Sequence, residues 1–145
     1  MREGLDNKLV KAFPLLYGDR NAPKQSTCMC WGFPGDGWFD LIWDLSSKLE
    51  PLIQKFIDEN QDTELYPKAF QVKEKFGGLR FYMTCGGDEF YDLIYEAEAL
   101  SYKTCEECGK PGEPPLPPSE GWIHTHCDDC HENCDKIRSK RWEEE

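Results

Sequence analysis

The residues of this chain best placed to do chemistry are four of its eight cysteines. They read Cys105-Glu-Glu-Cys108 and Cys127-Asp-Asp-Cys130, with 18 residues between the pairs. This C-x2-C…C-x2-C spacing is that of a structural zinc site. Two intervening residues let both thiolates of a pair reach one ion from a tight turn. Two such turns complete a tetrahedron and leave no open position for water or substrate. The pattern therefore predicts one structural Zn2+ and folding energy, not catalysis. His124, His126, His131 and Cys134 lie near enough in sequence to replace one thiolate, and a Cys3His set using His126 is the alternative. The simpler reading leaves His124 and His126 flanking a strand that enters the second pair, as surface groups or supports of the ligands. It leaves Cys134, four residues beyond Cys130, as a free thiol.

Other constellations are weaker. Cys28-Met-Cys30 has one intervening residue, poor geometry for a shared metal, although Cys85 could join it in space. The plainer reading packs these thiols as small apolar groups. The segment Lys73 to Tyr82 is the candidate ligand site, comprising Lys73, Lys75, Phe76, Gly77, Gly78, Arg80 and Tyr82. Glycines let an anion approach backbone N–H groups, the cations balance its charge, and the rings offer stacking surfaces. The competing reading is an ordinary Gly-Gly hairpin with charged edge protection. There is no P-loop, nucleophile elbow or H-E-x-x-H, so no catalytic residue is assigned. Asp40 and Asp44 share a helical face, where solvation explains them better than a metal does. Trp31, Phe33, Trp38, Phe39 and Trp43 cluster beside a Gly/Pro-rich loop. Trp38 reads as core, while Trp31 and Trp43 are left to line a pocket or a partner surface.

Helical spacing of Leu5, Leu9, Val10, Phe13, Leu16 and Tyr17 predicts a short N-terminal helix disturbed by Pro14. Residues 18–37 read as irregular. Apolar residues from Trp38 to Ile57 repeat at three and four, the clearest helix of the chain. Asp36 is its expected N-cap, and Pro51 is expected to kink it or begin a second helix. Residues 69–85 read as a hairpin, with Phe70 and Val72 inward on one strand, Leu79, Phe81 and Met83 on the other, and Gly77-Gly78 as the turn. Phe90, Leu93, Ile94, Ala97 and Ser101 predict a helix over 89–102, with Asp88 as its N-cap. The fold class is α+β: helices packed on a short antiparallel β-hairpin, with a C-terminal zinc-ribbon-like module. Residues 1–102 form the α+β domain and 103–134 a zinc-binding module docked on it. The proline-rich loop of 110–119 spans the two cysteine pairs, and 135–145 is a charged tail.

The formal net charge of -11 argues against nucleic acid, whose binding depends on Lys and Arg neutralising phosphates. The charge is uneven: residues 68–80 carry a local +3 and residues 86–100 a local -5. A small basic island in an acidic chain suits a small anion better than a long polyanion. With no signal-like segment and no apolar run of about 18 residues, no membrane partner is expected and a cytosolic location follows by default.

The stretch Gln71-Val-Lys-Glu-Lys-Phe-Gly-Gly-Leu-Arg-Phe-Tyr82 is distinctive. Together with Gly37-Trp-Phe-Asp-Leu-Ile42, residues 90–101, Thr104-Cys-Glu-Glu-Cys-Gly109 and Gly121-Trp-Ile-His-Thr-His-Cys127, it resembles a family of small, largely uncharacterised bacteriophage proteins. The resemblance covers roughly residues 30–130. It implies a phage origin, hence the host cytosol, and a zinc knuckle pair, and it carries no activity. Phage accessory proteins of this size often act against host defence. By that analogy the expected function is non-enzymatic sequestration of a nucleotide-type small molecule, a role in which a homodimer could hold the ligand between protomers. The alternative is an interaction module that binds and inhibits a host protein through the aromatic-rich loop or the zinc module.

Overall fold

The computed structural model describes residues 1–29, 32–61, 64–111 and 123–133. The predictions made for Cys30, Trp31, Cys134, most of the proline-rich loop and the charged tail lie outside these residues. The order is α1 (Glu3–Ala12), a 3-10 turn (Asp36–Trp38), α2 (Phe39–Asn60), β1 (Ala69–Lys75), β2 (Gly78–Met83) and α3 (Asp88–Ser101). Residues 128–133 are again helical. The architecture is α+β, with one two-stranded antiparallel hairpin.

α1 stops two residues before Pro14, whose ring and missing N–H exclude it from a helix interior. The chain then turns, and Glu50 of α2 accepts the backbone N–H groups of Leu15 and Leu16, both at 2.9 Å. Asp36 does not cap α2. Its carboxylate accepts from the Arg2 backbone N–H at 2.6 Å and from Arg2 Nε at 2.5 Å, so it ties down the start of α1. α2 runs unbroken through Pro51. Proline cannot donate to the carbonyl of Ser47, but both residues are exposed, so water can satisfy that oxygen. The inward face of α2 buries Leu41, Ile42, Leu45, Leu49 and Ile53, while Asp40, Asp44, Lys48, Lys55 and Asp58 are wet. Asp44 pairs with Lys48 at 2.9 Å, which accounts for it without a metal.

The hairpin differs from expectation in two places. The turn is Phe76-Gly77, both at positive φ (54° and 79°), and Gly78 already pairs with Lys75. Gly78 is required for another reason: a Cβ there would collide with the Tyr102 ring. The register also shifts between Ala69 and Gln71. The irregularity turns Phe70 outward and puts Ala69, fully buried, in its place beside Val72. Leu79, Phe81 and Met83 point inward as expected.

The core joins Leu9, Phe13, Leu16 and Tyr17 to the α2 stripe, to Val72, Leu79 and Phe81 of the hairpin, and to Phe90, Ile94 and Ala97 of α3. Within it Ser46 Oγ donates to the Ile42 carbonyl at 2.6 Å, so the Tyr17 hydroxyl donates to Ser46 Oγ, also at 2.6 Å. Burial first of all raises the Tyr17 hydroxyl well above its ordinary value. α3 begins at Asp88 after Gly87, with Asp88 and Glu89 in the first turn, where they complement the helix dipole. Its last turns close the open edge of β2. Ser101 Oγ accepts the Leu79 N–H at 2.8 Å, and Glu98 accepts that of Phe81 at 3.2 Å. No helix among the described residues is long and apolar enough to cross a membrane.

Candidate metal centre

The first cysteine pair follows α3 directly. Cys105 N–H donates to the Lys110 carbonyl, and Gly109 N–H returns to the Cys105 carbonyl, each at 2.9 Å. Gly109 turns at φ 77° to close this knuckle. The second pair enters from an extended segment, 123–127, and exits into the helix of 128–133, where His131 N–H reaches the Cys127 carbonyl at 2.9 Å. The two halves are joined by the Glu106 N–H, which donates to the Thr125 carbonyl at 2.9 Å.

This arrangement brings Cys105, Cys108, Cys127 and Cys130 together, with all four sulfurs within 4.8 Å of one another. The Sγ atoms of Cys108 and Cys127 lie 3.6 Å apart. Four sulfurs about 2.3 Å from a central ion would form a tetrahedron with edges of about 3.8 Å. The donor set and its dimensions therefore suit a single structural metal ion. Electrostatics point the same way. The Cys130 backbone N–H, then the neighbouring thiols, hold the Cys127 thiol down to about 7. Burial and those same neighbours push the Cys130 thiol up. Four thiolates this close together would repel one another, and a cation among the sulfurs would offset that repulsion.

The knuckle is packed on the body of the protein. Gly37 N–H donates to the Glu106 carbonyl at 2.9 Å, and Trp38 Nε1–H to the Thr104 carbonyl at 2.9 Å. A Cβ at Gly37 would collide with the Cys105 carbonyl, and one at Gly35 with that of Glu106. On the other side Thr125 Oγ1 donates to the Gly77 carbonyl at 2.5 Å, and Ile123 and Thr125 cover the Gly77 α-carbon.

His126 does not join the sulfurs. It is 7% exposed and faces Glu106, with Nε2 3.4 Å from Glu106 Oε1. His124 Nδ1 contacts the same oxygen, and the two imidazoles stack at 5.0 Å with planes 5° apart. The expectation of surface or supporting histidines missed this grouping. The available signal was His124-Thr-His126, whose i, i+2 spacing puts both rings on one face of an extended segment. Cys28 is half-buried and Cys85 exposed, and among the described residues neither belongs to a group of potential metal ligands.

The hairpin residues are placed differently from a glycine cradle. Gly77 N–H is taken by Glu74 Oε1 at 2.7 Å, and the 123–125 segment covers the turn. The register instead sets Lys73 opposite Arg80, Gln71 opposite Tyr82 and Lys75 opposite Gly78. Lys73, Lys75, Arg80 and Tyr82 thus share one face, the one turned away from Val72 and Phe81. Lys73 lies 5.7 Å from the Tyr82 ring centre and Lys75 5.5 Å from that of Phe76. Arg80 Nη2 donates to the Tyr102 hydroxyl at 3.0 Å.

No protein-family model matches the chain, and no match is found among curated proteins or solved structures.

Proposed function

We propose that this is a zinc-stapled phage accessory protein that binds a nucleotide-type small anion on the outer face of the hairpin and so withholds it from host defence. The observation that carries the reading is the strand register, which gathers Lys73, Lys75, Arg80 and Tyr82 on one face of an otherwise acidic chain. Three cations can meet a pyrophosphate or cyclic phosphate, and Tyr82, 38% exposed, offers a ring to a base. Arg80 is held in place by Tyr102, whereas Lys73 and Lys75 lie over the rings of Tyr82 and Phe76. Zinc is the ion that four thiolates at tetrahedral spacing favour. The phage origin and the defence context rest on the sequence resemblance.

The test is native mass spectrometry on protein purified without chelator, offered cyclic and ADP-ribose-type nucleotides. A retained nucleotide that is lost in Lys73→Ala/Lys75→Ala, with unchanged melting, is the expected result. No nucleotide retained at any concentration would overturn the reading. It would favour the second one, inhibition of a host protein, for which Trp43 is the best anchor. Trp43 is 38% exposed and rests edge-on against Phe13 at 4.8 Å.

A further inference from the structure

The side-chain donors of Glu106, His124 and His126 form a group separate from the four sulfurs. We propose that it is a second metal site, taking a divalent transition-metal ion through two imidazoles and one carboxylate.

The first support is geometric. One donor atom from each residue lies within 4.8 Å of the others, so a single ion can reach all three. The backbone fixes this convergence. Glu106 N–H is bonded to the Thr125 carbonyl, which sets Glu106 opposite the middle of His124-Thr125-His126. Thr125 turns its hydroxyl the other way, to Gly77, and leaves both rings on the Glu106 side.

The second support is the state of the buried polar atoms. Glu106 is 6% and His126 7% exposed. Among the described residues Glu106 Oε2 and His126 Nε2 have no hydrogen-bond partner. A buried polar group without a partner costs about 1–3 kcal/mol, and more when it is charged. Such atoms are uncommon in folded proteins and call for a reason, an unseen ion among them.

The third support is the sign of the surrounding charge. Among the described residues Glu106 has no Lys or Arg partner, and its ion-pair contacts are the two histidines. Glu74 and Glu107 add negative charge around it. This environment repels anions and rewards a dication. Two imidazoles with a carboxylate select a borderline transition metal over Mg2+ or Ca2+, which prefer all-oxygen sets. Three protein ligands also leave a coordination position open, unlike the closed four-sulfur site. Glu106 also lines an open depression of about 300 Å³ together with Phe33, Pro34, Gln71, Lys73 and Glu74.

The experiment counts ions. Chain stripped of metal under reducing conditions is refolded with a small excess of Co2+ and examined by native mass spectrometry and absorption. Two ions per folded chain are expected. One should give thiolate-to-cobalt charge transfer, and the other only weak ligand-field bands. Glu106→Gln and His126→Ala should each fall to one ion with the thiolate bands intact. Glu106→Gln keeps the shape of the side chain and guards against a folding failure in His126→Ala. A wild-type count of one overturns the proposal whatever the variants do, as does a second ion that persists undiminished in a folded variant. Neither result bears on nucleotide binding at the hairpin, which is read separately.

Discussion

At the scale of single residues, the metal-binding turn packs on the body of the protein where a side chain is missing. Gly37 lies against the Cys105 carbonyl and the Gly109 amide, so the first metal-binding turn can sit on the body of the protein. Gly37→Ala should lower stability by about 1–3 kcal/mol, the usual cost of overpacking, because the obstacle is backbone that cannot rotate away. Urea denaturation of the metal-loaded protein checks this, and an unchanged midpoint would contradict it. Asp36, next to it, is a charge-dependent tie. The backbone N–H of Arg2, and then its side chain, hold the Asp36 carboxyl below its ordinary value of 3.8. Its stabilisation is therefore complete above that value and lost as pH falls through the lowered one. The stability difference between the natural chain and Asp36→Ala should shrink in strong acid. Measuring the difference cancels acid release of the metal, which both chains share, and a gap that stays constant to the acid limit would refute the assignment. The metal cysteines were legible because ligand pairing is local along the chain. The grouping of Glu106 with His124 and His126 was not, because it depends on one backbone hydrogen bond spanning 19 positions, between Glu106 and Thr125.

At the scale of elements, periodicity located both long helices and the hairpin, because each buries one continuous stripe. What it missed was decided by partners outside the element. Asp36 reads as a cap for the helix that follows, yet Arg2 claims it. Gly77-Gly78 reads as the turn, yet Gly78 is needed to clear Tyr102 and the turn moves back by one residue. Phe70 reads as core, yet the register shift turns it out and Thr27 and Cys28 bond to its carbonyl. The edge of β2 is likewise completed from elsewhere. Leu79 N–H would otherwise be buried without a partner, and Ser101, fully buried, supplies one. Ser101→Ala should cost about 1–3 kcal/mol, the penalty of an orphaned buried donor. Faster amide exchange at Leu79 than at Val72 would mark the loss as local to this edge. Equal protection at both sites would show that α3 shields the edge by packing alone.

At the scale of the whole molecule, the question is whether metal and core fold as one unit. The binding energy of a structural zinc is on the order of 10 kcal/mol, comparable to the entire stability of an ordinary domain. If the two parts were inseparable, removing the ion would unfold the chain. The packing argues otherwise. Among the described residues, the buried apolar cluster runs from Leu9 to Ala97 and includes none from the cysteine module. Among the described residues, the module meets it through hydrogen bonds from Gly37 to Glu106, Trp38 to Thr104 and Thr125 to Gly77, and through close packing at Gly35, Gly37 and Gly77. Apolar burial supplies most of the favourable free energy of a core, and these hydrogen bonds contribute about 1 kcal/mol each. Chelation should therefore melt residues 104–109 and 123–131 and leave α2, α3 and the hairpin core folded. Circular dichroism should keep most of its helical signal while hydrogen exchange accelerates in those two segments. Exchange should also rise at the turn of the hairpin, where Thr125 and Ile123 no longer cover Gly77. The lysine face of the hairpin would then survive without the ion. Global unfolding on chelation would show instead that the four cysteines hold the core itself together, and that no surface of this protein, the hairpin face included, exists without its metal.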